Sequence, residues 1–347
     1  MKDTRSLVYG AVLLVSGGWV LYVGKTVLVP AVIGALIMYV IVGLAQALGR
    51  LPGLGSRLPL RLRYVFSVSV IGLLFFSLIL LVIANKEKAM TLAPQYQQSL
   101  LAAIQRAAVF LRIETEPTWA TLRQDLLALI NLQRLFGSLL ASLSSLLVSF
   151  VVVFLYATFL LIEQRAFGTK LNNLSADPAR VARIRDVIKA INARIGSYLA
   201  LKSLLSLLLG AVSWVIMSLF GLEFAALWAV LTGVLNFVPY LGSFFAVLLP
   251  VLMTILQFGE PGIILGMLLA LTSVQFVIGN FLDPYVMGSS LNLSPFAILL
   301  SLAVWSEVWG IPGAFLAVPI TAIMTIVFSE FAGTRPLAVL LSKSGRV

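Results

Sequence analysis

Eight stretches of the chain run with scarcely a charged residue: 7–24, 26–48, 64–84, 138–162, 203–220, 224–258, 262–281 and 295–331. A bilayer core about 30 Å thick takes roughly 20 apolar residues per helical crossing. The stretches are rich in Leu, Val and Ile and lack the period-two alternation of barrel strands, so they predict helices. The expected fold class is all-α, a polytopic transmembrane helical bundle of about eight spans. The first run is longer than a signal-peptide core and lacks an A-x-A site, so it reads as a retained span.

The polar segments between the runs predict their own elements. In 85–137, Leu100, Leu101, Ile104, Ala108 and Leu111, then Leu122, Leu126, Leu129 and Ile130, recur at helical spacing, with an interruption at Glu116-Pro117. That predicts a small soluble helical insert, either packed on the bundle or collecting substrate. In 163–202, Asp177 can cap a helix that opens with Pro178. Val181, Ile184, Ile188, Ile191 and Ile195 then share one face, which predicts an interfacial helix on anionic lipid. The resulting organisation is three spans in 1–84, the insert 85–137, a fourth span at 138–162, a basic cytoplasmic linker 163–202, a C-terminal core 203–334 and a basic tail 335–347.

Composition sharpens this picture. Of 347 residues, 61% are hydrophobic and 11% charged, with mean hydropathy +1.07; a soluble domain carries about 25% charged residues. The formal net charge is +11. Arg50, Arg57, Arg61 and Arg63, the basic residues of 163–202, and Arg335, Lys343 and Arg346 all fall on one side if the runs each cross once. The positive-inside rule then puts both termini in the cytoplasm. Basic charge beside spans meets lipid, and no nucleic-acid partner is expected. The chain has no Cys and no His, which removes thiol chemistry, Ser–His hydrolysis and the usual zinc ligands. Without a G-x-x-x-x-G-K-[ST] loop there is no ATP-coupled reading, and no metal or other cofactor is called for.

Between Lys202 and Arg335 lie 132 residues without one Lys or Arg, and their five charges are all acidic. Glu223, Glu260 and Glu330 sit at the ends of apolar runs. Asp283 and Glu307 fall near breaks in the apolar region; a carboxylate at the middle of a spanning helix costs about 2.5–3.5 kcal/mol and usually faces a bundle interior or wet cavity. Nearby the runs are interrupted. Asn236-Phe237-Val238-Pro239-Tyr240-Leu241-Gly242-Ser243 resembles Asn280-Phe281-Leu282-Asp283-Pro284-Tyr285-Val286-Met287-Gly288-Ser289, at an offset of 44–46 residues, and Gly310-Ile311-Pro312-Gly313 splits the last run. Proline removes a backbone donor and glycine releases the chain. Paired interruptions at membrane depth point to a transporter's binding site, although Asp before Pro also commonly ends a helix. The candidate binding residues are Asp283, Asn236, Tyr240, Asn280, Tyr285 and Glu307. The candidate hinges are Pro239, Gly242, Pro284, Gly288, Gly310, Pro312 and Gly313.

The stretch from Asn280 to Leu293, continuing through Leu299-Leu300-Ser301-Leu302, Trp305, Trp309-Gly310 and Leu316-Ala317-Val318-Pro319, resembles the autoinducer-2 exporter family. So do Asn236 to Gly242 and the overall layout. The resemblance implies an eight-span prokaryotic inner-membrane transporter, associated with export of autoinducer-2 in some members and Na⁺(Li⁺)/H⁺ antiport in others, and assembled as a homo-oligomer that could be a pentamer. Asp283-Pro284 matches the family's acidic-residue-then-proline element, with Asp where Glu is frequent. Glu307 stands where the family is expected to be variable or apolar.

Three functional readings follow. The first is a secondary transporter exporting a small polar solute, coupled to H⁺ or Na⁺, with Asp283 binding the cation or proton. The second is Na⁺(Li⁺)/H⁺ antiport as the primary activity. The third is a non-transporting scaffold or assembly factor, for which Gly262-x-x-x-Gly266 and Gly313-x-x-x-Ala317 offer close helix contacts. An enzyme is not expected: Asp283 is the only Asp after residue 186, too few for an intramembrane aspartyl protease.

Overall fold

Long apolar runs with few breakers become long helices, and the computed structural model of the chain is built from helices and short connections. It describes residues 2–50, 58–110, 132–173, 175–287 and 291–346. Among these, α1 is Lys2–Val23, α2 Lys25–Arg50, α3 Leu60–Phe110, α4 Leu132–Asn172 and α5 Pro178–Leu219. The second half is more finely divided. It comprises α6 (Ala225–Leu235), α7 (Leu241–Gln257), α8 (Pro261–Val277), a π-helical turn at Ile278–Leu282, α9 (Asp283–Met287), α10 (Pro295–Trp309), α11 (Ile311–Ser329) and α12 (Arg335–Leu341). The all-helical membrane bundle expected from the hydropathy pattern is present.

The eight apolar runs do not each become one straight crossing. Five described helices are long and apolar enough to span: Lys25–Arg50, Leu60–Arg106, Pro178–Leu219, Pro261–Val286 and Ile311–Ser329. A sixth counts if Ser149–Gln164 and Ala166–Asn172, bent by 61°, form one span. The run 224–258 instead becomes two helices of 11 and 17 residues, and the first is only about 16 Å long at 1.5 Å per residue.

Two polar segments are continuous with the helices of neighbouring apolar runs. Helix α3 runs without interruption past residue 84 as far as Phe110, so Leu100, Leu101 and Ile104 belong to the helix that carries the third span. Residues 111–131, including Glu116-Pro117, lie outside the described residues. The basic segment joins the following span in the single 42-residue helix α5. Its start is the expected one: Asp177 Oδ1 accepts from Ala179 N at 2.9 Å and Pro178 occupies the first position.

The chain divides into two compact units, one of residues 1–69, 149–201 and 287–347, the other of 70–148 and 202–286. In the first, Ile195, Tyr198, Leu293, Val318 and Ala322 form a buried cluster. Trp305 and Trp309 are buried with ring centroids 5.2 Å apart, and Trp309 Nε1 donates to Leu21 O at 2.9 Å. This pair is packing. In the second unit Tyr96, Met217, Ala229, Met253, Met267 and Leu271 form the core. The near end of that core is tied by Arg106 Nη1 donating to Gly259 O at 2.8 Å and by the Lys88–Glu223 ion pair.

Both split runs double back. A Cβ at Gly242 would collide with the carbonyl of Leu235, seven positions earlier, whereas seven residues of continuous helix span about 10 Å. Thr232 Oγ1 donates to Ala246 O at 3.3 Å across the same pair of helices, so α6 and α7 form an antiparallel hairpin. Tyr240, at φ 61°, makes the reversal. The last run repeats the device: Gly310 turns at φ 66°, and a Cβ on Gly313 would strike the Trp305 carbonyl. Helices α10 and α11 therefore return on one another.

Candidate functional site

On one side of α5, Lys202, the adjacent pair Leu205 and Ser206, Leu209 and Ser213 follow one another at steps of three or four positions, and all are buried. This spacing keeps them on a single stripe. Helix α6 approaches that stripe closely, because small residues meet there. A Cβ on Gly233 would sit 2.9 Å from Ser206 O, and one on Gly210 3.0 Å from Ala229 O. The approach carries Asn236, just past the end of α6, against Ser206 and Lys202.

The third participant arrives through the π-helical turn. Pro284 has no N–H to give the carbonyl four residues back, and its ring crowds that carbonyl. The turn before it is widened, and Asp283 N donates five residues back to Ile278 O. Such π-turns are frequent at functional sites. The span itself continues through the turn from Pro261 to Val286, so this interruption is a bulge, unlike the hairpin at Pro239 and Gly242. Two segments with similar letters thus fold differently.

Asp283 Oδ2 accepts from Lys202 Nζ at 2.7 Å, with side-chain exposures of 20% and 8%. Asn236 Oδ1 lies 3.4 Å from the same ammonium, and Asn236 Nδ2 donates to Ser206 Oγ at 3.0 Å. The second carboxylate oxygen, Asp283 Oδ1, is buried with no hydrogen-bond partner among the described residues. A buried acceptor left open costs about 1–3 kcal/mol. The arrangement therefore holds two opposite charges side by side among helices and leaves one buried carboxylate acceptor unused. Beside it, Gln275 Nε2 donates to Ser243 Oγ at 2.9 Å, tying α7 to α8.

The structure brings together two of the six residues expected to bind, Asp283 and Asn236. Tyr240 and Tyr285 are 55% and 90% exposed. Asn280 is exposed and returns its Nδ2 to Phe276 O, one turn back on its own helix. Glu307 is exposed and belongs to the other compact unit. Gly288 lies outside the described residues. Pro239, Pro284, Gly310 and Pro312 fall at the turns already described or at the first turn of α11.

Lys202 and Ser206 were not among the expected site residues. Lys202 closes the run of basic residues and reads as the end of a cytoplasmic linker. The signal that distinguishes it is its place on the buried stripe, three positions before Leu205 and four before Ser206.

The sequence profile of the AI-2E family of transporters matches residues 11–333. YhhT of Escherichia coli K12 is 30% identical over 291 residues, covering 83% of this chain and 80% of YhhT. The AI-2 transport protein TqsA of the same strain is 33% identical over 212 residues, 60% of this chain and 59% of TqsA. A candidate transport protein of Borreliella burgdorferi is 37% identical over 197 residues, and this chain spans about half of it, 54%.

Proposed function

We propose that this chain, a member of the AI-2E family of transporters, exports a small polar solute through a centre formed by Lys202, Asp283 and Asn236. Its place in a transporter family and its bundle of membrane-length helices make it a multi-pass membrane transporter; cargo, direction and coupling are the proposed part. The observation that carries the reading is the buried Lys202–Asp283 pair with an open carboxylate oxygen beside a π-turn. Buried ionisable groups within spans mark substrate and ion pathways.

TqsA is named for AI-2 transport, and a small polar solute with a hydrogen-bond donor would suit the unused acceptor at Asp283 Oδ1 once the buried site opens. Coupling to H⁺ or Na⁺ belongs to the same reading: a cation on Asp283 would compete with Lys202 and loosen the pair. The proposed setting is the bacterial inner membrane with both termini cytoplasmic, the basic start of α5 on anionic lipid, and several copies assembled together.

The test is efflux from vesicles reconstituted with the full chain and loaded with autoinducer-2, under an imposed H⁺ gradient, a Na⁺ gradient or neither. Release faster than from protein-free vesicles is expected, and faster still with one gradient. Release equal to that of protein-free vesicles under all three conditions would contradict the reading.

A further inference from the structure

A groove of about 810 Å³ lies between the start of α3 and the end of the apolar part of α4, within one compact unit. Leu60, Leu161 and Ile162 supply apolar wall, while Arg61, Tyr64 and Gln164 supply polar groups. We propose that this groove binds an anionic phospholipid, with the headgroup phosphate on Arg61 and an acyl chain along Leu60, Leu161 and Ile162.

The position of the groove argues for lipid. Leu60 opens the span Leu60–Arg106, and Gln164 ends the apolar segment Ser149–Gln164, where the helix bends by 61°. Both edges therefore sit where apolar helix gives way to polar chain, the depth of lipid headgroups. Leu60 and Ile162 are 55% and 62% exposed, and apolar side chains at that depth face acyl chains. An interfacial Tyr beside them is typical of this level of a bilayer.

Charge selects the lipid. Among the described residues no carboxylate lines the groove, and Glu163, next to it in sequence, is paired with Lys170. Arg63 is committed to the local chain, its Nε donating to Leu58 O at 2.9 Å. Arg61 is exposed and presents a planar fork of donors suited to phosphate oxygens. A free phosphate ester would use the arginine but leave the apolar wall bare. The combination of wall and charge favours the lipid.

The test is thermal stabilisation of the full-length protein in neutral detergent on adding dioleoyl-phosphatidylglycerol, dioleoyl-phosphatidylcholine or glycerol phosphate. The wild type should gain more from phosphatidylglycerol than from phosphatidylcholine, and nothing from glycerol phosphate. Arg61→Gln should weaken apparent phosphatidylglycerol affinity about fivefold, the worth of one basic residue at a lipid surface, and leave the phosphatidylcholine response alone. Gln164→Glu, which puts a negative charge in the groove, should act in the same direction, whereas Arg335→Gln should not. An unchanged preference for phosphatidylglycerol in both groove variants would overturn the proposal. A full response to glycerol phosphate would also overturn it, by assigning the site to a soluble phosphate ester.

Discussion

Lys202 and Asp283, 81 residues apart in the chain, meet in a 2.7 Å ion pair among apolar helices. Each makes the other tolerable there. An unpaired charge in such a place is expensive, and the pair is held in register by Asn236 from a third segment.

Removing one partner should therefore cost more than removing both. Lys202→Met leaves Asp283 uncompensated and should lower stability by about 3 kcal/mol. The double variant Lys202→Met with Asp283→Leu should recover most of that loss. Thermal unfolding in detergent measures both, and a double variant no more stable than Lys202→Met would refute the coupling.

The hairpin between α6 and α7 depends on the missing side chain at Gly242, because a Cβ there meets the Leu235 carbonyl. Gly242→Ala should destabilise by about 1–3 kcal/mol, as overpacking does. Gly262→Ala, with open space around it in α8, should be neutral or stabilising by about 0.5 kcal/mol. Opposite shifts in melting temperature are expected from these two alanines.

Asn236 and Tyr285 separate buried chemistry from exposed likeness. Asn236→Leu deprives Lys202 of an acceptor and Ser206 of a donor, and should cut efflux at least about tenfold while the protein still inserts and purifies normally, since loss of a contact to a charged group is worth about 1.5–3 kcal/mol. Tyr285→Phe alters a side chain 90% exposed and should leave efflux within about twofold, as a change of under 0.5 kcal/mol would. Similar losses from the two substitutions would show that the proposed centre is misplaced.

Trp309 offers a purely structural comparison. Its Nε1 donates to Leu21 O at 2.9 Å and so ties α10 to α1. Trp309→Phe keeps an aromatic ring but loses that bond, and should cost about 0.5–1.5 kcal/mol with efflux per folded molecule unchanged.

The amino-acid pattern discloses the membrane bundle directly, because a helix crossing hydrocarbon has to be apolar along most of its length. It also marks where helices fail: Pro239, Gly242, Pro284, Gly310 and Gly313 all lie at real irregularities. What happens after each failure depends on packing. At Gly242 the chain reverses because a small residue can lie on Leu235 O, while at Pro284 it continues through a widened turn. Repeated letters could not tell these apart, which is why Tyr240 and Tyr285 look like partners in sequence yet both stay exposed. Lys202 was hidden for a different reason. A lysine ending a basic run resembles its neighbours until the carboxylate 81 residues away is placed beside it.

The most direct measurement is initial efflux from vesicles bearing Asp283→Asn, compared with Glu307→Gln at equal protein density. Asp283→Asn keeps the shape but removes the charge that holds Lys202, whereas Glu307 is an exposed acid in the other unit. The account predicts loss of at least about tenfold in flux for Asp283→Asn, the equivalent of about 1.4 kcal/mol, and near wild-type flux for Glu307→Gln. Wild-type flux from a normally inserted Asp283→Asn protein would contradict it.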